Sequence, residues 1–162
     1  MKLETQRLIL RPFTPRDGDD LYEILGDEET MRCSEPPYTR ERTQAFLEEF
    51  CIRKKGALAA EEKESGRVIG YLLFCPVEEG VYELGWFFNR AYWRRGYAFE
   101  ACSAIKEYAF TELNARKLMA ETIDTQRSVP LMEKLGMVRE GTEEVRAPWG
   151  DRAELYLYGV ER

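Results

Sequence analysis

The pattern of hydrophobic and polar residues along the chain predicts two kinds of element. Short apolar runs bounded by glycine, proline or charged residues, of which residues 117–123 alternate with polar residues, predict strands. Seven such runs lie at residues 8–10, 57–62, 67–77, 81–88, 117–123, 137–142 and 153–160. Four segments have the helical period instead, the first opening at Pro15 and the others at residues 39–55, 96–113 and 129–135. The predicted order is therefore β-α-α-β-β-β-α-β-α-β-β.

The segment at 96–113 has the clearest helical pattern in the sequence, because one face is apolar and no glycine or proline follows its first residue. The apolar stripe consists of Ala98, Ala101, Cys102, Ile105, Tyr108 and Ala109. Thr14 can cap the first helix, where Pro15 suits the first position, and Gly136 suits the end of the fourth helix. Strands and helices alternate without a linker, which predicts a single domain at residues 1–162. We expect an α/β (α+β) fold with one mixed sheet and helices on both faces.

Composition and charge exclude several kinds of site and partner. The chain has no histidine, which removes Ser-His-Asp and Cys-His catalysis and most zinc chemistry, and its four cysteines form no Cys-x-x-Cys pair. We therefore expect no metal. The net charge of −6 argues against a nucleic-acid partner, and no segment reaches the roughly 20 apolar residues of a membrane span. Because the amino terminus also lacks the apolar core of a signal peptide, we expect a cytoplasmic protein.

One hexapeptide, Trp-Arg-Arg-Gly-Tyr-Ala at residues 93–98, combines several features of an anion site. It follows a strand and opens the strongest predicted helix, whose start presents unpaired N–H groups and a partial positive charge. Arg94 and Arg95 add two cations beside this point, and Gly96 would let a ligand approach the backbone closely. The same residues also fit a plain solvated loop. The hexapeptide alone leaves these two interpretations even.

The strand predicted at 81–88 contains two residues that are unusual for a strand. Gly85 lies in its interior, which predicts a β-bulge that leaves amide groups free for a ligand. Glu83 is a carboxylate between apolar neighbours, where burial would raise its pKa toward the range useful for proton transfer. Alternation along the strand favours the simpler interpretation, in which Glu83 points to solvent.

Four ordered segments together resemble the GNAT N-acetyltransferases, and most closely their RimJ/RimL-type branch. The segments are ETQRLILRPF at 4–13, YELGW with YWRRGYA at 82–98, a serine followed by LMEKLGM at 128–137, and YLYG at 156–159. The resemblance covers almost the whole chain. It implies a mostly antiparallel, twisted sheet of about seven strands with four helices on both faces. It also implies that the sheet splays open between the fourth and fifth predicted strands.

The resemblance further implies a function and a set of site residues. The function is transfer of an acetyl group from acetyl-CoA to a primary amine, at a protein N-terminus or on a small molecule, by direct attack on the thioester. Glu83 and Ser128 would carry the catalytic proton transfers. Pantetheine would lie along the splayed strand, and the diphosphate would bind at the start of the helix at 96–113. The implied cofactor-binding residues are Trp86, Phe87, Phe88, Arg94, Arg95, Gly96, Tyr97, Ala98, Thr125 and Ser128.

Two positions depart from the pattern of the family. Thr125 stands where relatives usually have an asparagine that contacts pantetheine, and Met132 stands where many have a tyrosine that protonates the thiolate. Ser128 is the nearest hydroxyl for that second role, although capping of the helix at 129–135 is the stronger expectation for it. Because Met132 cannot donate a proton, a non-catalytic acetyl-CoA-binding or regulatory module on the same fold is the alternative function. The sequence leaves a monomer and a homodimer both open.

Overall fold

The computed structural model describes residues 1–162, whose eight strands form one open sheet. The strands are β1 (Leu3–Glu4), β2 (Leu8–Pro12), β3 (Ala57–Glu62), β4 (Val68–Glu78), β5 (Val81–Phe88), β6 (Lys117–Thr122), β7 (Val138–Arg146) and β8 (Arg152–Glu161). They lie side by side in the order β1-β2-β3-β4-β5-β6-β8-β7. All neighbours are antiparallel except β5 and β6, which run parallel.

Five α-helices connect these strands: α1 (Gly18–Leu25), α2 (Glu28–Met31), α3 (Arg40–Phe46), α4 (Tyr97–Thr111) and α5 (Val129–Lys134). α3 continues directly into a π-helix at Leu47–Arg53, and short 3-10 turns lie at Pro15–Asp17 and Arg90–Tyr92. The predicted start at Thr14 is confirmed, because the Thr14 N–H donates to the Asp17 carboxylate at 2.8 Å. α4 supplies the crossover that parallel strands require, since it leads from β5 to β6. No helix of the protein is both long enough and apolar enough to cross a membrane.

Two hydrophobic cores lie on opposite faces of the sheet. The first core packs α4 and α5 against the sheet, and Leu84, Ile105 and Leu118 are fully buried within it. The second core packs α1 and the α3–π segment against the other face, with Leu21 and Leu47 at its centre. The apolar stripe predicted for the helix at 96–113 is confirmed at its central positions, which are buried in the first core. Helices on both faces of a mixed sheet are therefore confirmed.

β5 and β6 separate soon after they begin. Only the first three residues of each strand pair with one another, and the last pair is Glu83 with Met119. Beyond that point β5 stays paired with β4 as far as Phe88, and β6 stays paired with β8 as far as Thr122. The predicted splay between these two strands is therefore confirmed. It leaves one edge of β5 without a neighbouring strand.

The structure differs from the sequence prediction in a few elements. β1 and α2 are additional, and both are too short to show a periodic pattern. The bulge predicted at Gly85 is wrong, because Gly85 stays in register opposite Leu73 and the irregularity of this strand pair lies between Pro76 and Glu78. A Cβ atom on residue 85 would lie 3.3 Å from the Cβ of Leu73. This glycine therefore makes room for a close cross-strand neighbour.

Candidate active site

The opening between β5 and β6 forms part of a groove of about 430 Å³. The groove is lined by β4, β5, β6, α5 and β8, by residues 33–34 after α2, and by residues 145–148 around the β7–β8 connection. Of the residues predicted for the site, Glu83, Trp86, Phe87 and Ser128 all line it. The fold thus gathers residues that lie far apart in the sequence into one cavity.

Two carboxylates face this groove where β5 and β6 begin to separate. Glu83 pairs in register with Met119, so Glu121, two residues further along β6, lies on the same face of the sheet. Burial, and secondly the negative charge of Glu121, raise the pKa of Glu83. Cys75 of β4 lies opposite Glu83, and burial together with the Glu83 charge raises the pKa of its thiol. The half-buried Glu83 thus has the raised pKa that suits a general base.

The open edge of β5 offers backbone groups to the groove. The Asn89 N–H donates to the Ile69 carbonyl of β4 at 2.8 Å. Because backbone groups point alternately to the two sides of a strand, those of Trp86 and Phe88 point away from β4, to the side from which β6 has diverged. The Phe88 carbonyl accepts a hydrogen bond from the Trp93 indole at 2.7 Å, and the Phe88 ring is buried in the first core. The backbone N–H and C=O of Trp86 therefore lie on an edge that has no strand partner.

The loop before α4 has the backbone conformation of an anion-binding turn. Arg94 (φ 65°) and Gly96 (φ 82°) both lie in the left-handed region, and Gly96 is the N-cap of the helix. The backbone N–H groups of residues 95–98 have no acceptor within the chain. The side chains of Arg94 and Arg95 are exposed beside them. Four free donors and two cations therefore lie within five consecutive residues at the start of a helix, where phosphate groups bind favourably.

A hydrogen-bonded network that the sequence did not predict holds the first turn of α4. The Tyr97 hydroxyl donates to the buried carboxylate of Glu62, and this bond lowers the pKa of Glu62. The Arg7 guanidinium lies 4.0 Å from the centre of the Tyr97 ring and pairs with Glu100 at 2.7 Å. Arg7, just before β2, and Glu62 of β3 lie far from α4 in the sequence, so no local pattern could have shown these contacts.

The capping role predicted for Ser128 is wrong. Ser128 precedes α5, but its backbone (φ −91°, ψ −40°) is already helical, and its hydroxyl makes no capping hydrogen bond. The Asp124 carboxylate instead caps the turn that precedes α5, because it accepts the N–H groups of Gln126 and Arg127 at 3.2 and 3.0 Å. Ser128 is therefore not committed to the helix and lines the groove, whereas Thr125 is exposed on the preceding turn and does not line it.

Known proteins resemble this chain in sequence and in fold. The acetyltransferase (GNAT) domain family matches residues 7–138. The chain is 34% identical to the uncharacterized N-acetyltransferase YnaD of Bacillus subtilis, over 99% of this chain and 96% of YnaD. An acetyltransferase (GNAT family) from Bacillus anthracis has the same fold, with a TM-score of 0.92 and 27% identity over 99% of this chain and 98% of that protein. The ribosomal-protein-S5-alanine acetyltransferase from Vibrio fischeri shares the fold alone, with a TM-score of 0.79 and 16% identity over 99% of this chain and 96% of that protein.

Proposed function

The chain is an N-acetyltransferase of the GNAT family, and on this premise we propose that it moves the acetyl group of acetyl-CoA to a primary amine by direct attack on the thioester. One observation carries the proposal: the edge of β5 opens beyond Glu83, and unpaired N–H groups begin α4 at the wide end of the same opening. Acetyl-CoA is an elongated molecule with amides in its pantetheine arm and a diphosphate beyond them. A single such molecule therefore matches both features.

In this proposal the two parts of acetyl-CoA use different kinds of contact. Pantetheine pairs with the free backbone N–H and C=O of Trp86 at the open edge of β5, next to Phe87 and Phe88. The diphosphate accepts backbone N–H groups at the start of α4, where the helix dipole also favours a negative charge. The residues that hold it are Arg94, Arg95, Gly96, Tyr97 and Ala98. Thr125, on the exposed turn before α5, is the remaining residue of the proposed cofactor site.

The amine loses two protons, one to Glu83 and one through the hydroxyl of Ser128. Glu83 accepts the first proton from the incoming ammonium, directly or through water, because burial and Glu121 have raised its pKa. The neutral amine then forms the new C–N bond as the C–S bond breaks. The second amine proton passes through the Ser128 hydroxyl to the departing thiolate, since Met132 beside it has no proton to give. The products are the N-acetylated amine and free coenzyme A.

The acceptor in this proposal is a primary amine at a protein N-terminus or on a small molecule, as in the RimJ/RimL-type branch. A protein acceptor is supported by the Vibrio fischeri fold neighbour, which is a ribosomal-protein-S5-alanine acetyltransferase. Acidic surface residues near α2 are poor candidates for holding the amine, because Asp27 pairs with Arg90 at 3.1 Å and Glu35 pairs with Arg42 at 2.8 Å. Glu83 and Glu121 are the carboxylates that face the groove itself.

Met132 supports one alternative, a non-catalytic module that binds acetyl-CoA without transferring its acetyl group. Both functions require the same cofactor site, so binding alone does not distinguish them. Release of free thiol from acetyl-CoA does, when it is measured with a panel of small amines and of peptides with free N-termini. Thiol release with any amine above the rate without amine supports the enzyme. Tight binding with no release across the whole panel would support the alternative.

Replacement of Arg94 and Arg95 by alanine tests the cofactor site directly. Because hydrogen bonds to charged groups are stronger than neutral ones, we expect the double variant to bind acetyl-CoA about tenfold more weakly, as measured by titration calorimetry. The matched control is Arg16→Ala with Arg53→Ala, which removes the same charge from two exposed positions away from α4. An equal loss of affinity in both double variants, or no loss in the first, would contradict the assignment.

A further inference from the structure

Side chains span the wide end of the opening between β5 and β6. The Trp93 indole is tied to β5 by its 2.7 Å hydrogen bond to the Phe88 carbonyl. The Arg127 guanidinium carbon lies 5.0 Å from the centre of the Trp93 ring, and Arg127 Nε pairs with the Asp124 carboxylate, just beyond β6, at 2.6 Å. A continuous chain of contacts therefore runs from β5 through Trp93 and Arg127 to the end of β6.

Arg127 also reaches a third element, the short helix α2. Its Nη1 donates to the Glu29 carbonyl at 3.2 Å and lies 3.6 Å from the Glu29 carboxylate. The guanidinium thus divides its donors between Asp124 and Glu29 while its face lies over the Trp93 ring, a combination that the planar guanidinium group allows. The segment that follows α2 contributes Cys33 to the lining of the groove. Arg127 therefore connects the loop before α4 to the part of the chain that forms another side of the groove.

We propose that Arg127 is a positioning residue that couples occupancy of the cofactor site to the position of α2 and of the loop at residues 33–38. The coupling rests on the proposed function, because it takes the loop at residues 94–98 as the diphosphate site. An anion bound there orders this loop and the Trp93 ring that immediately precedes it. A fixed ring favours the stacked position of Arg127, whose Nη1 then holds Glu29. Binding of the cofactor thereby orders the acceptor side of the groove.

Hydrogen exchange followed by mass spectrometry tests this coupling, with coenzyme A as the probe. In the unaltered protein, saturating coenzyme A is expected to slow exchange at residues 94–99, which it contacts, and at residues 28–38, of which only residues 33 and 34 line the groove. In Arg127→Ala the slowing at 94–99 remains. The slowing at 28–38 is reduced by about fivefold or lost, because the charged hydrogen bond to Glu29 is gone.

Two further variants separate coupling from a general loosening of α2. Arg32→Ala removes a second arginine close to the Glu29 carboxylate, at 3.4 Å, but this arginine lies at the end of α2 itself and is the matched control. It is expected to keep the effect of coenzyme A at residues 28–38. Arg127→Lys keeps the positive charge, but one ammonium cannot serve Asp124, Glu29 and the Trp93 ring together. We expect it to keep part of the effect.

The exchange rates with and without coenzyme A decide between the outcomes. If Arg127 were only structural, Arg127→Ala would speed exchange at 28–38 while the effect of coenzyme A there stayed the same, and this result would overturn the coupling. An effect at 28–38 that Arg32→Ala and Arg127→Ala reduce equally would overturn it too. No slowing at 94–99 in the unaltered protein would count against the proposed function itself, and the coupling would fall with it.

Discussion

At the scale of single residues, Glu83 is the group on which the proposed chemistry depends most. Glu83→Gln keeps the size of the side chain but cannot accept a proton, so we expect turnover to fall by about a hundredfold or more while acetyl-CoA still binds. Because the pKa of Glu83 is raised, the rate of the unaltered enzyme should fall as pH drops through that raised pKa. The Glu83→Gln variant should lack this fall in rate at low pH. Steady-state rates across pH, with Glu144→Gln as the exposed control, measure both effects, and an unchanged profile would leave Glu83 a structural role only.

Glu121 sets part of the environment of Glu83, and its own substitution tests that influence. Its negative charge is the second cause, after burial, of the raised pKa of Glu83. Glu121→Gln removes the charge, so the pKa of Glu83 should decrease and the acidic limb of the pH–rate profile should move to lower pH. Burial remains, so the limb should not return to the position of an ordinary glutamate. The other titratable or charged side chains that line the groove are Cys33, Tyr71 and Arg146, and Cys75 lies opposite Glu83 on β4. If the acidic limb of the pH–rate profile stays at the same pH in Glu121→Gln, solvent screens the two carboxylates from one another.

The sequence could indicate Glu83 but not its neighbours in space. A carboxylate between apolar residues of a strand is visible in the sequence, whereas Glu121 joins it only through the register of two parallel strands. Arg127 is equally hidden, because its partner Glu29 lies in a helix of four residues that no periodic pattern shows. Contacts between distant segments depend on register and topology, and a single sequence fixes neither of them locally.

At the scale of elements, the strand β5 combines a correct prediction with a wrong one. The start of α4 follows from the order of Arg94, Arg95 and Gly96, and the opening beside β5 follows from the resemblance to the family. The bulge at Gly85 does not exist, because an interior glycine can equally mark a close neighbour, here Leu73. Sequence reasoning identified the unusual position but could not choose between the two causes.

Gly85→Val therefore tests, by adding bulk to the strand, whether β5 forms part of the cofactor site. The branched side chain would meet Leu73 and narrow the groove that Gly85 lines. We expect overpacking against Leu73 to cost about 1–3 kcal/mol of folding stability. We also expect acetyl-CoA to bind more weakly, because the added side chain takes up space in the groove. Gly141→Val in β7 is the matched control, because a Cβ atom there meets nothing within 4 Å. Titration calorimetry measures the affinity and thermal unfolding measures the stability. A Gly85→Val variant that lost stability but kept its affinity for acetyl-CoA would contradict the prediction.

At the scale of the whole molecule, the opening divides the sheet into two parts that the first core holds together. β1 to β5 form one part and β6 to β8 the other, and only three residue pairs connect them through the backbone. Leu84 from one part and Leu118 from the other pack in the same core beneath α4. The second core packs against β3, β4 and β5 only. This arrangement keeps the two strands apart at the surface while one core joins the two parts of the sheet, and a pattern of local hydrophobicity could not reveal it.

Acetyl-CoA bound in the opening would contact both parts of the sheet, and this predicts how it changes the stability of the whole protein. A ligand that binds only the folded state adds about 2.7 kcal/mol to the free energy of unfolding at a hundred times its dissociation constant. For a chain of 162 residues this corresponds to a rise of about 5–10 °C in the unfolding midpoint. Because the first core includes residues from both parts, scanning calorimetry should show one transition that moves as a unit. The variant with Arg94→Ala and Arg95→Ala should show a smaller rise at the same acetyl-CoA concentration. Two transitions, of which only one moved with acetyl-CoA, would mean that the parts unfold separately and that the cofactor binds to one of them alone.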